Sequence, residues 1–153
     1  MPDVKWSTVA TADTAITGTV MNATASAAYK IGDAIDNRPV TLGSLYGDLE
    51  LILSSAVTAG TGTPHVAVYL LPSMDAGTTY PTPPGGTAGL TPSNYMVGTI
   101  MANASAGFTA GHLRGIVLPP FHFKILIQNN LGVAFPSTNT SVLRLYRYRE
   151  QAV

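Results

Sequence analysis

The chain has 153 residues, 10% of them charged, no cysteine and a formal net charge of zero. That length holds one domain with a sizeable core. The missing cysteines exclude a disulfide framework and thiolate metal sites, and the neutral balance argues against the basic face that nucleic-acid binding requires. Charge is nevertheless uneven along the chain. Residues 1–75 carry three basic and seven acidic side chains, net −4, and residues 76–153 carry five basic and one acidic, net +4. Such asymmetry either joins one subunit to the next or cancels within one fold. No window reaches the ~18 apolar residues of a membrane-spanning helix. Met1-Pro-Asp-Val-Lys-Trp6 lacks the apolar stretch of a secretory signal.

Strand patterns recur, and no long segment shows an apolar stripe of helical period. Residues 1–14 read as a flexible N-terminal arm ahead of one β-sandwich domain, 15–153. Ala15–Met21 alternates around Gly18 and predicts a first strand. Ala28–Ile31 and Arg38–Leu42 are short candidates, parted by the turn-prone Gly32-Asp-Ala-Ile-Asp-Asn37. Asp48–Val57 and His65–Leu71 flank the loop composition Thr58-Ala-Gly-Thr-Gly-Thr-Pro64, which predicts an antiparallel hairpin over 48–71. Between Pro72 and Asn94 the chain holds five prolines and four glycines. Proline fixes φ and removes donors, so this long loop is expected to be an extended excursion that contacts a neighbour through Tyr80 and Tyr95.

Tyr95–Met101 is the next strand, Asn103–Gly111 a loop carrying Phe108, and Leu113–Leu118 a strand stopped by Pro119-Pro120. Phe121–Gln128 alternates well, with Phe121, Phe123, Ile125 and Ile127 on one face. Asn129-Asn-Leu-Gly132 supplies turn chemistry. Val142–Arg149 closes the chain, placing Arg144 with Tyr146 and Tyr148, and Arg147 and Arg149 with Leu143 and Leu145. These last two strands read as closing one sheet. About eight strands without a βαβ rhythm predict an all-β antiparallel sandwich, and the long crossing loops favour a jelly roll.

Reactive constellations are missing from the sequence. His65, His112 and His122 stand in no metal-ligand spacing, and Glu50 and Glu150 are the only glutamates. No G-x-S-x-G elbow occurs. Asp48 and Glu50 share a strand face about 7 Å apart, adjacent on one wall rather than opposed across a cleft. Gly85-Gly86-Thr-Ala-Gly89 lacks the lysine and helix of a phosphate loop. The expectation is a non-enzyme without cofactor or metal. Among the aromatics, one tryptophan and scattered tyrosines make a weak sugar-stacking platform.

Leu118-Pro-Pro-Phe-His-Phe-Lys-Ile-Leu-Ile-Gln-Asn-Asn-Leu-Gly132 and the ending Leu143-Arg-Leu-Tyr-Arg-Tyr-Arg-Glu-Gln151 resemble structural proteins of tailed-bacteriophage virions, of the head decoration or cement type. The likeness covers about 35 residues, and it brings no catalytic or ligand residues. It implies a protein made in the bacterial host cytoplasm and located on the capsid surface of the virion. The implied partner is the major capsid protein, bound as a homo-oligomer, dimer or trimer, without nucleic acid or membrane. Loops, the N-terminal arm and β-edges would supply the contacts. Trp6, Tyr80, Tyr95, Arg144, Arg147 and Arg149 are the expected interface residues. The alternative is a receptor- or glycan-binding module of a tail fibre or spike.

Overall fold

A computed structural model describes residues 4–6, 12–38, 44–81, 95–102 and 107–152, with 4–6 and 150–152 described through their backbone only. The elements in order are β1 (Val4–Trp6), β2 (Asp13–Ile16), α1 (Gly18–Met21), β3 (Tyr29–Ile31), β4 (Ile35–Asp36), β5 (Tyr46–Val57), β6 (His65–Pro72), β7 (Met96–Met101), β8 (Phe108–Val117), β9 (His122–Asn130), β10 (Val142–Tyr148) and β11 (Glu150–Ala152). They form an all-β sandwich of two antiparallel sheets packed on each other. The first sheet has the order β2-β10-β5-β8 and the second β3-β9-β6-β7, with β4 also paired to β9. A separate two-stranded ribbon joins β1 to β11, with Trp6 opposite Glu150.

The pairing is nested. β2 pairs with β10, β3 with β9, β5 with β8, and β6 with β7, all antiparallel. The chain therefore behaves as one long hairpin bent over at β6–β7, and each pair crosses to the opposite sheet from the pair before it. Among the described strands, β6 and β7 are the one consecutive pair of long strands that share a sheet.

Period-two patterning explains the core. Leu49, Leu51 and Leu53 of β5, Phe123, Ile125 and Ile127 of β9, and Leu143 and Leu145 of β10 meet between the sheets, none more than 4% exposed. Their alternate neighbours face outward. The expected strand over Phe121–Gln128 thus appears, although Phe121 itself is exposed.

Five expectations are corrected. The hairpin over 48–71 does not form, because β5 and β6 lie in opposite sheets. The loop between them crosses the sandwich and is anchored where the Gly60 amide donates to the Leu131 carbonyl. β9 and β10 likewise fall in different sheets rather than closing one. The strand expected over 15–21 ends at Ile16. There Thr17 C=O accepts from both Val20 and Met21, and the resulting single helical turn buries Met21. The turn expected over 32–37 contains β4, whose Ile35 pairs with Phe123. Phe108, expected in a loop, is buried and opens β8. Residues 39–42 of the Arg38–Leu42 candidate lie outside the described residues, as do 82–94 of the long loop.

Two buried amides hold the connections. Asn129 Nδ2 donates to the carbonyls of Thr24 at 2.9 Å and Val133 at 2.8 Å, and its Oδ1 accepts from the Leu131 amide at 3.0 Å. One side chain thereby satisfies backbone groups of two loops that no strand could reach. Asn37 Nδ2 does the same for the carbonyls of Ser44 and Pro119, at 2.8 and 2.7 Å. Positive φ in the Asn129–Gly132 segment is confined to Gly132, at +80°; Asn129 belongs to β9 and acts through its side chain.

Ile125→Ala is expected to lower stability by about 2–5 kcal/mol, because Ile125 is fully buried between the sheets. Val117→Ala, at a position 69% exposed, should change it by no more than about 0.5 kcal/mol. Urea midpoints of the two variants check the contrast.

Candidate interaction surfaces

In the second sheet, β6 is apolar on both sides. In β6 every residue from Val66 to Leu71 is buried. Val66, Val68 and Leu70 enter the core between the sheets. Ala67, Tyr69 and Leu71 point the other way and cluster with Leu126, with Tyr29 and Tyr95 packed against them. Ile31, Met96 and Met101 on the flanking strands are exposed, as is Met74 in the groove beside Tyr95. Pairing fixes two of them on that face, since Ile31 lies opposite Leu126 and Met96 opposite Tyr69.

Beside the cluster lies an open groove of about 640 Å³, lined by Pro72, Met74, Asp75, Tyr80, Pro81 and Tyr95 among others. Asp75 shapes the turn that presents Tyr80. Its Oδ1 accepts from the Thr79 amide at 2.7 Å, the Thr78 amide at 3.1 Å and the Ser73 hydroxyl at 2.7 Å. Hydrogen bonds from Thr79, then Ser73, hold the Asp75 carboxyl well below the usual carboxylate range. Lys124 Nζ stands 4.6 Å from the Tyr80 ring centroid, a cation–π contact that limits the ring's freedom.

The outer face of the first sheet is polar and carries a ladder. Arg144 lies opposite Glu50, Tyr146 opposite Asp48, and Tyr148 opposite Tyr46. Each tyrosine reaches one step along to a carboxylate. Tyr146 OH donates to Glu50 Oε2 at 2.7 Å, and Tyr148 OH donates to Asp48 Oδ1 at 3.1 Å. Partial burial, then the Asp48 carboxylate, pushes the Tyr148 phenol up. Tyr46 and Tyr148 stack with ring centroids 5.9 Å apart.

Across β5 from the tyrosines the pairing with β8 slips between Gly47 and Leu49. Gly115 takes φ +67° at this slip, a left-handed conformation that glycine adopts without strain. Its amide donates to Asp48 Oδ1 at 2.8 Å. A groove of about 280 Å³ results, lined by Asp48, Leu49, Glu50, His112, Arg114 and Tyr146. Asp48 and Glu50 share one wall, as their spacing predicts.

The six expected interface residues separate. Tyr80 and Tyr95 come together in the groove beside the second sheet. Arg144 is on the outer face of the first sheet, 3.7 Å from Glu50. Arg147 is held within the chain, 2.7 Å from Asp13 and donating to the Asp36 carbonyl at 2.9 Å. Arg149 follows β10 and is half-buried. Trp6 lies in β1, paired through its backbone. Arg144 and Arg147 both meet acids of the first 75 residues, so part of the charge asymmetry cancels inside the fold. Sequence reasoning missed Met74 and, on a strand whose pairing decides exposure, Met96 and Met101; it also missed His112, which the β5–β8 register places opposite Glu50, and Arg114 beside the β8 bulge. Among the described residues no group of three His, Asp or Glu side chains could hold a metal ion, and no helix is long and apolar enough to cross a membrane.

The lowered Asp75 carboxyl makes the turn acid-sensitive. A group whose folded pKa is depressed contributes stability above its unfolded pKa, near 3.9, and loses it as pH falls toward the folded value. Asp75→Asn is therefore expected to flatten the decline of the thermal midpoint below about pH 4. A residual slope should remain, because hydrogen bonds from Arg38 lower Asp36 in the same sense. Thermal denaturation across the acid range checks this.

No protein-family model, curated protein or solved structure matches this chain.

Proposed function

We propose that this protein is a non-enzymatic virion component of a tailed phage, attached to the capsid shell as a decoration or cement protein. The observation that carries this reading is the outer face of the second sheet. An antiparallel sheet of a free-standing sandwich commonly turns a polar face to water. Here that face carries a tyrosine-roofed apolar cluster flanked by exposed Ile31, Met96 and Met101, with Met74 in the groove beside Tyr95. Tyrosine and methionine are the residue types enriched at protein contacts, and methionine adapts its shape to a partner.

Three further features support the reading. The nested pairing and the orders β2-β10-β5-β8 and β3-β9-β6-β7 suit a jelly roll, an architecture recurrent in viral capsid domains. The β1–β11 ribbon has two strands, a size that gains stability from a third strand or a supporting surface. Low charge and a net charge of zero suit a surface meant for neighbours. In this role the Tyr80–Tyr95 groove and the methionine-rich face meet the major capsid protein or a second copy of the chain. The rival reading, a glycan-binding module of a tail fibre or spike, draws on the polar groove over β5.

Shells assembled from the major capsid protein of the same genome should carry the purified protein down on sedimentation, saturably and at a fixed ratio. The double change Tyr95→Ala and Met96→Lys should weaken that binding about tenfold or more, with the fold intact by circular dichroism. Absence of binding to these shells would contradict the proposal.

A further inference from the structure

We propose that the groove across β10, β5 and β8 is a saccharide-binding site, with Glu50, His112, Arg114 and Tyr146 as its contacts. The inference does not depend on attachment to a shell, since this groove lies on the opposite side of the sandwich from the methionine-rich face.

The groove is built rather than incidental. Glu50 is fixed by the Tyr146 hydroxyl and flanked by Arg144, both at Oε2, which leaves Oε1 free to accept. Asp48 is fixed through Oδ1 by the Gly115 amide and the Tyr148 hydroxyl, which leaves Oδ2 free. On the far wall, His112 lies opposite Glu50 in the β5–β8 register. The bulge locked by Asp48 brings Arg114 to the same groove. Bulges of this kind re-aim a side chain beside a site. His112 and Arg114 are exposed, and neither side chain forms a hydrogen bond or ion pair among the described residues. Free acceptors therefore stand on one wall and free donors on the other, with the Tyr146 ring as the apolar lining between.

That arrangement selects the ligand class. A simple anion at Arg114 would meet Asp48 and Glu50, and a simple cation at Glu50 would meet Arg114 and Arg144. Neither gains from the site as a whole. A sugar ring presents neighbouring hydroxyls that each donate and accept, together with a C–H face that packs on a tyrosine ring. Pre-set polar groups of both kinds around a small apolar lining are what orient such a ligand. At about 280 Å³ the open groove suits one or two sugar units of a longer glycan rather than a large ligand.

The test is NMR titration of the full chain, labelled with nitrogen-15, with separate hexoses, N-acetylhexosamines and hexuronates, and with inorganic phosphate and free lysine as ion probes. At least one saccharide class should shift the amides of Glu50, His112, Arg114 and Tyr146. Arg114→Ala and His112→Ala should each weaken that binding by about tenfold, whereas Lys124→Ala, on the other sheet, should leave it unchanged. Both variants replace exposed side chains, and unchanged spectra elsewhere would confirm that they fold. The proposal is overturned if no saccharide shifts these amides, if Arg114→Ala binds as tightly as the unaltered chain, or if phosphate or lysine shifts them as strongly. Loss of shell binding with sugar binding retained would overturn the capsid role alone.

Discussion

A strand with no polar side needs apolar cover on both faces. From Val66 to Leu71, β6 has none, and the architecture follows from that constraint. Its inward side requires the opposing sheet, so β5 and β10 bring Leu49, Leu51, Leu143 and Leu145 across from it. Its outward side requires a roof, which Tyr29 and Tyr95 supply from β3 and the entry to β7. Apolar burial contributes about 25 cal/mol per Å², so a strand covered twice holds the sheet far more firmly than its hydrogen bonds alone. The roof is narrow. Beyond its edges the methionines reach water, and this is where a partner gains most by packing.

The first sheet solves a different problem with polar chemistry. Its outer face has few apolar side chains to pack, so cross-strand order comes from tyrosine hydroxyls donating to carboxylates one step along the ladder. Asp48 joins this ladder to the β8 bulge, because one oxygen accepts from Tyr148 and Gly115 together. The two faces thus divide the surface: one is adaptable and apolar, the other pre-set and polar. A protein that holds a shell and also touches a glycan would need both.

Much of the fold was legible because period-two alternation is a local property. Alternation puts Phe123, Ile125 and Ile127 on one face of β9, and Leu143 with Leu145 on one face of β10, and these are the buried faces; His65–Leu71 reads as a strand, and β6 covers it. Sheet membership was not legible. Whether β6 pairs with β5 or crosses away from it depends on the partner strands, and the seven-residue loop 58–64 permits either. The nested order resolves it, because each crossing strand finds a mate distant in sequence. Gly32 shows the same limit: it reads as a turn glycine, yet a Cβ there would strike the Ala15 carbonyl, so it marks a close approach of β2 to the β3–β4 connection. Of the candidate surfaces, Tyr80 and Tyr95 were visible as aromatics beside a proline-rich loop. Glu50 and Asp48 were visible as neighbours on one wall. His112 and Arg114 were not: His112 meets Glu50 only through the long-range β5–β8 pairing, and Arg114 reaches the groove beside a bulge tied to a carboxylate 67 residues away.

The most direct test of the central claim, that this chain decorates a capsid, is a cryo-electron microscopy map of phage particles produced by the genome that encodes it. The account predicts density for this sandwich on the capsid shell, with Met74, Tyr95, Met96 and Met101 turned toward the shell protein or a second copy, and the groove beside Arg114 open to solvent. A shell without this density, or a sandwich whose methionine-rich face looks out to solvent, would contradict it.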